Sequence, residues 1–395
     1  MLSVFSMSAW AQAGIDAPAG KDPPIEQQAT STPLTTPLMT GPLTANPNPM
    51  SFEAGAFGPV YVTGAVTGLG LWQDNTFPDD RPFSANLSNG QFFLQKINGL
   101  FQYYAQIGAY TIPELGAPFF SVVQTTREFF GSVPMAFIKL APNDAFSIQA
   151  GKLAGLIGVE NNFSFQNMNI ERGLLWNQEP FIGRGAQLNY TAGLLALSFA
   201  LNRGFYPNAF TWWSGSLTYT IDGANSYLSV AGSNHARAIA GTAANRFYQN
   251  NESLFNVVYT FNSAPWSVTP YVQYTNVPAN PSIGAFNPAS TLGGAILINY
   301  SFGDASPLAG FSLPLRFEYI SSTGSLANGA PNLLYGPVSN AWSVTVTPTF
   351  QYKIFFARAE LSHVGTGHIT NGLAFGSSGS NTTQTRILFE TGILF

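Results

Sequence analysis

The chain has 395 residues with only 9% charged side chains, 14% aromatics, 39 Gly and 27 Pro, a composition of neither a disordered chain nor an ordinary soluble enzyme. Gly, Ser, Thr, Asn or Gln interrupts every hydrophobic run before it reaches the roughly 20 apolar residues of a membrane-spanning helix, which excludes a helical membrane protein. The absence of cysteine removes disulfides, thiolate metal sites and catalytic thiols, and a net charge of −4 without a Lys/Arg cluster excludes nucleic acid as a partner.

Residues 1–13, MLSVFSMSAWAQA, end in Ala11-Gln12-Ala13 but lack a basic start. They read as a truncated signal peptide whose cleavage leaves Gly14 first; the alternative is a flexible N-terminus with a chance Ala-x-Ala. Residues 14–57, which include PLTTPLMTGPLTANPNP, are Pro/Thr-rich and are expected to form a disordered, solvated periplasmic tail.

From residue 58 the apolar period is two. Trp342, Val344, Val346, Pro348, Phe350 and Tyr352 alternate with Ser343, Thr345, Thr347, Thr349 and Gln351. Phe355, Ala357, Ala359 and Leu361 share one face, while Arg358, Glu360 and Ser362 share the other. This pattern predicts strands near 60–72, 91–97, 100–110, 129–140, 145–153, 183–191, 194–202, 212–221, 226–233, 253–261, 266–275, 291–302, 312–321, 341–352, 355–364 and 385–395. A soluble sandwich alternates too, so the connections decide. They are short at Asn98-Gly99, 141–144, Ala192-Gly193, 222–225, 262–265, 303–311 and 353–354, with long loops between. Short periplasmic turns and long extracellular loops belong to outer-membrane barrels. Asn98-Gly99 suits a type I′ hairpin and Asp222-Gly223 a slightly longer turn.

The fold class is therefore all-β, a transmembrane antiparallel up-and-down β-barrel of about 16 strands over residues 58–395 in the bacterial outer membrane. Its outward faces are expected to meet membrane lipid and lipopolysaccharide. Tyr190, Tyr219, Phe261, Trp266, Tyr300, Phe302, Phe350, Tyr352 and Phe355 collect beside the short turns, as a girdle at the water boundary requires. The ending ILFETGILF, with Phe395 last, resembles the signal that such barrels present to the outer-membrane assembly machinery.

The segment GKLAGLIGVENNFSFQNMNIERGLLWNQEPFIGRGAQLNY, residues 151–190, carries Gly151, Lys152, Gly158, Glu160, Asn169, Arg172, Leu174, Leu175, Pro180, Phe181 and Gly183. In this it resembles the OmpL-like β-barrel porins of the Gram-negative outer membrane. It departs from them in its charge-poor strands and in Glu171-Arg172-Gly173, where a small polar residue more often precedes the Arg. The resemblance implies a porin.

The longest loop, 154–182, is the candidate for folding into the lumen. It holds Glu160, Glu171, Arg172 and Glu179, with Arg184 just beyond. Opposed charges across a narrow passage orient dipolar solutes, so these are the candidate constriction residues; the alternatives are that they pair locally and pin the loop or that they sit on a solvated rim. Lys139, Arg316, Glu318, Arg358, Glu360, Arg386 and Glu390 are expected on the lumen wall, because Arg or Lys on the lipid face at mid-depth costs about 2–4 kcal/mol. No cofactor is implied. His363 and His368 are too sparse for a metal site, and Ser362 and His363, adjacent on a strand, point to opposite faces. The expected function is passive diffusion of small hydrophilic solutes through a water-filled lumen, without enzymatic activity, in a barrel able to form a homotrimer. The alternatives are a closed barrel serving as a surface adhesin or structural protein, or a lipolytic enzyme.

Overall fold

The protein is described by a computed structural model over residues 39–395, except 56–57, 204–209, 222–225, 238–250 and 304. The signal peptide, most of the expected tail and the turn at 222–225 lie outside the described residues.

The strands are β1 (Pro59–Gln73), β2 (Phe83–Lys96), β3 (Phe101–Tyr110), β4 (Met135–Leu140), β5 (Phe146–Ala154), β6 (Ile182–Ala192), β7 (Leu195–Asn202) and β8 (Trp212–Ile221). There follow β9 (Ser226–His235), β10 (Ser253–Ser263), β11 (Trp266–Val277), β12 (Ala289–Ser301), β13 (Phe311–Ser322), β14 (Asn340–Val346 and Thr349–Tyr352), β15 (Phe355–Gly367) and β16 (Thr383–Leu394). Each pairs antiparallel with the next, and β16 returns to β1, from Arg386↔Gln73 to Leu394↔Ala65. Closure at sixteen strands leaves no edge for lipid to meet. The interruption in β14 falls at Thr347-Pro348, where proline cannot donate a ladder bond.

Burial is the reverse of that in a soluble domain. On β16 the outward Ile387 and Phe389 are half exposed, whereas the inward Arg386 and Glu390 are fully buried. The chain's end completes the seam. Gly64 and Phe395 exchange backbone hydrogen bonds of 2.8 and 3.0 Å, and the Phe395 ring packs edge-on against Phe92 at 5.7 Å. A Cβ on Gly64 would come within 2.4 Å of that ring, so a glycine is needed where the terminal aromatic crosses β1.

Three segments depart from the expected pattern. β2 starts at Phe83 instead of 91, across a bulge at Thr67/Gly68 that breaks the simple alternation. β4 starts only at Met135, because Val122–Thr125 and Thr126–Phe130 form consecutive helical turns that Gly131 (φ 70°) ends. The described part of the expected solvated tail is held by the barrel. Met50–Glu53 pairs with Pro59–Val62 of β1, and Leu43 is 1% exposed. Leucine and methionine within a Pro/Thr-rich stretch find an apolar site that composition alone does not reveal.

The topology makes a labelling prediction. Epitope tags in 323–339 and 368–382, between strands of the long-loop end, should be labelled on intact cells, and tags in 353–354 only after permeabilisation. The reverse pattern would overturn the orientation.

Candidate functional site

The connection between β5 and β6, residues 155–181, folds into the barrel and packs against the lumen wall on more than one side. Its base is closed by Gly155 N–H donating to the Phe181 carbonyl at 2.6 Å. Leu156 packs with Ala200 of β7, Ile157 with Ala231 of β9 and Leu254 of β10, and Val159 joins the cluster of Val258, Tyr271, Ala295 and Leu297 on β10–β12. The loop then meets β2 and β3 through aromatic rings. Phe163 and Phe165 stack at 6.4 Å, Phe163 packs edge-on against Tyr110 at 5.1 Å, and Phe165 lies tilted against Phe93 at 6.0 Å. Trp176 and Phe181 stack at 3.8 Å near the loop's return.

Charge holds the loop to the opposite wall. Arg316 donates to Glu160 at 2.5 Å and to the Glu171 carbonyl at 2.7 Å. Arg386 donates to the Glu171 carboxylate at 2.8 Å and to the carbonyls of Glu114 and Ala117 at 2.7 and 2.6 Å. Arg358 pairs with Glu390 at 2.5 Å and donates to the Asn167 carbonyl at 3.1 Å. The wall carboxylates do the complementary work. Glu360 accepts from the N–H groups of Ile170 and Glu171 at 2.5 and 3.0 Å, Glu318 from those of Leu174 and Leu175 at 3.0 and 3.3 Å, and Glu390 from the Ser164 hydroxyl at 2.5 Å. A Cβ on Gly173 would lie 2.1 Å from Glu318, so the loop approaches the wall at a point only glycine tolerates.

The expected site residues therefore divide into three groups. Arg316, Glu318, Arg358, Glu360, Arg386 and Glu390 face inward, buried against the loop. Lys139 also faces inward, between the outward Ile138 and Leu140, away from these pairs. Glu160, Glu171, Arg172 and Glu179 are all buried. Glu160 and Glu171 pair with the wall, and Glu179 lies against Gly158, where a Cβ would meet its carboxylate at 1.7 Å. Arg172 is wholly enclosed, its guanidinium carbon 5.9 Å from the Trp176 ring. Arg184 is the exception. It shares the outward parity of Leu188 and Tyr190 on β6 and is exposed on the barrel's exterior. Sequence reading grouped it with the loop by proximity, but the alternation of β6 sends its side chain the other way.

Two contributors went unnoticed in the sequence. The loop before β4 sends Glu114 and Leu115 inward, where Leu115 N–H donates to the Arg172 carbonyl at 2.9 Å. The N-terminal segment passes beneath the inward loop, with the N–H groups of Thr40 and Gly41 donating to the Gln166 carbonyl at 2.8 and 3.1 Å. The other half of the lumen wall, β6–β12, carries no inward Asp, Glu, Lys or Arg. Ser198, Ser216, Thr218, Ser229, Asn256, Thr260 and Thr269 line it, with Thr218 and Ser229 hydroxyls 3.0 Å apart and those of Thr260 and Thr269 3.1 Å apart. Ser362 bonds Glu171 inside at 2.7 Å while His363 faces outward and bonds Thr385 at 3.0 Å.

The anion-selective porin from Comamonas acidovorans shares 9% identity over 85% of this chain and 99% of its own, with a TM-score of 0.58. The outer-membrane channel DcaP of Acinetobacter baumannii shares 11% over 87% and 99%, with a TM-score of 0.56. In-vitro folded OmpT of Vibrio cholerae, in its trimer form, shares 9% over 85% and 99%, with a TM-score of 0.55. At such identities the likeness is one of fold. No curated protein matches the chain. The family described as beta-barrel porin-2, OmpL-like, matches residues 59–395, the whole barrel. With a closed sixteen-stranded wall, apolar outside and polar within, and that match over its full length, the chain belongs to the OmpL-like β-barrel porin family and is an outer-membrane porin for passive diffusion of small hydrophilic solutes.

Proposed function

We propose that the porin favours uncharged, hydroxyl-bearing solutes, which pass between the inward loop and the β6–β12 wall, and that it works as a homotrimer without enzymatic activity. The observation that carries this reading is the separation of the wall into two halves. The charges of β13–β16 are taken up in pairs with the loop or with one another, whereas the inward polar positions of β6–β12 carry hydroxyls and amides and no charge. A hydroxyl wall replaces part of a sugar's hydration shell but gives an ion no counter-charge, so neutral solutes lose least on entry. Trimer assembly is supported by the trimeric form of one structural neighbour. The absence of enzymatic activity agrees with Ser362 and His363 facing opposite sides of the wall. In this reading the inward loop forms the constriction, and Glu160 and Glu171 act by pinning it to the wall.

The test is conductance of the full chain in planar bilayers together with liposome swelling in sugars, amino acids and organic acids. Discrete steps with a reversal potential near zero in a salt gradient, and faster swelling in sugars than in organic anions of equal size, are expected. A strongly shifted reversal potential would defeat the neutral-solute reading. Insertion without conductance steps would defeat the proposed solute route between the loop and the wall.

A further inference from the structure

The cation that sequence reading placed in the pore belongs to a different surface. Arg184 is directly opposite Lys152 of β5 in the strand register, and Lys152 shares the outward parity of Ile148, itself 43% exposed. On the other side, Arg203, which follows the last residue of β7, donates its backbone N–H to the Arg184 carbonyl at 3.1 Å. Its guanidinium carbon lies 5.4 Å from the Phe210 ring. Three successive strands thus present a basic residue within three positions of their long-loop ends, and the outward positions of β4–β7 hold no carboxylate.

Like charges directly opposite on a sheet destabilise it, and a basic side chain facing lipid is tolerated best near the interface, where its stem can carry the charge to the headgroups. The Lys152 ammonium is anchored by the carbonyls of Phe130 and Val133 at 2.6 and 2.7 Å, which hold it in place without neutralising it. Arg184 has no ion-pair or hydrogen-bond partner for its guanidinium among the described residues. Directly toward the turn end lie Ile148, Leu188 and Leu201, an apolar strip on the same outward face.

We propose that Lys152 and Arg184, flanked by Arg203, bind the phosphate of an acylated, phosphorylated glycolipid of the outer leaflet, lipid A of lipopolysaccharide, with its acyl chains over that apolar strip. A guanidinium fork beside an ammonium matches a phosphate's oxygens, and an amphiphile places its chains and its anion at the two heights the surface offers. The site rests on the reading of the chain as an outer-membrane barrel, and it is independent of whether the lumen conducts.

The experiment uses the full chain in detergent micelles. Binding of phosphorylated lipid A, dephosphorylated lipid A and inorganic phosphate is measured by native mass spectrometry, for the parent and for the Lys152→Ala/Arg184→Ala double variant. The parent is expected to prefer the phosphorylated lipid over both other probes. The double variant should lose about thirtyfold in affinity for it, as removal of two basic residues beside an anionic lipid predicts, while its bilayer conductance stays that of the parent. Arg184→Lys should retain part of the binding. Equal affinity of the parent for the dephosphorylated lipid, equal affinity of parent and double variant for the phosphorylated one, or tight binding of inorganic phosphate alone would overturn the proposal. So would a change of oligomeric state in the double variant with lipid binding intact, which would make the patch a contact between copies. Failed conductance in the parent, with lipid preference preserved, would count against the channel and leave this site standing.

Discussion

Arg386→Ala should raise the unit conductance and make it noisy, because it releases the inward loop from the wall. The guanidinium makes four hydrogen bonds, to the Glu171 carboxylate, the Glu114 and Ala117 carbonyls and the Gln73 side chain. Its loss leaves Glu171 buried with only the Ser362 hydroxyl at 2.7 Å on its side chain. Removing one partner of a buried pair costs about 3–5 kcal/mol, a large share of the stability of the loop's docking, so the loop leaves the wall or the barrel's heat stability falls. The companion change Glu171→Gln in the same chain should recover part of the stability, since it removes the uncompensated charge, but should not restore the parent's conductance. Arg386→Lys should rescue little, as an ammonium cannot span the four acceptors. Arg172→Ala should move the conductance less than Arg386→Ala, because Arg172 is enclosed beside Trp176 and does not join loop to wall. Single-channel recording and thermal unfolding on one set of variants decide the matter. An Arg386→Ala channel indistinguishable from the parent would end the clamp.

The barrel was legible in the sequence because its two signals are repeated many times over. Alternation marks each strand, and connection length marks which end each turn belongs to, so a local error such as the early start of β2 at Phe83 does not propagate. Parity also placed the wall charges, since Arg358 and Glu360 alternate with the apolar Ala357, Ala359 and Leu361. The same signal was present for Arg184, four and six residues before Leu188 and Tyr190, both outward. It was masked by the neighbouring loop charges. The partners of the inward loop could not be read in this way. Contacts such as Asn169 Nδ2 to Thr347 Oγ1 at 2.7 Å join residues 178 positions apart, and no local period encodes them. Leu43 escaped for a similar reason: its partners, among them Phe93, Phe165 and Leu394, come from the wall and the inward loop, far along the chain.

Deleting residues 39–46 should open the turn-end side of the lumen without disturbing the barrel. This segment takes no part in the sixteen-stranded ladder, yet it lies across the underside of the inward loop. Thr40 and Gly41 donate to the Gln166 carbonyl, Asn161 donates to the Thr40 hydroxyl at 3.2 Å, and Thr44 exchanges bonds with the Gln351 side chain on β14 at 2.7 and 2.8 Å. It therefore spans from the loop to the wall, with Leu43 buried in the aromatic cluster between them. Removing the leucine side chain alone, in Leu43→Ala, should cost about 2–5 kcal/mol if the cavity stays open and less if Phe165 relaxes into it. Gly41→Val gives an independent route to the same state. A Cβ at Gly41 would lie 2.2 Å from the Asn167 carbonyl oxygen, so the segment must lift away from the loop while every residue of the barrel remains. Both the deletion and Gly41→Val are expected to raise unit conductance in planar bilayers and to speed liposome swelling by the larger sugars, with the folded barrel's gel mobility unchanged. If the deletion conducts more and Gly41→Val does not, the segment blocks by bulk alone and its contact with Gln166 is dispensable. If neither variant differs from the parent, solutes do not pass beneath the inward loop, and the route lies wholly along the β6–β12 wall.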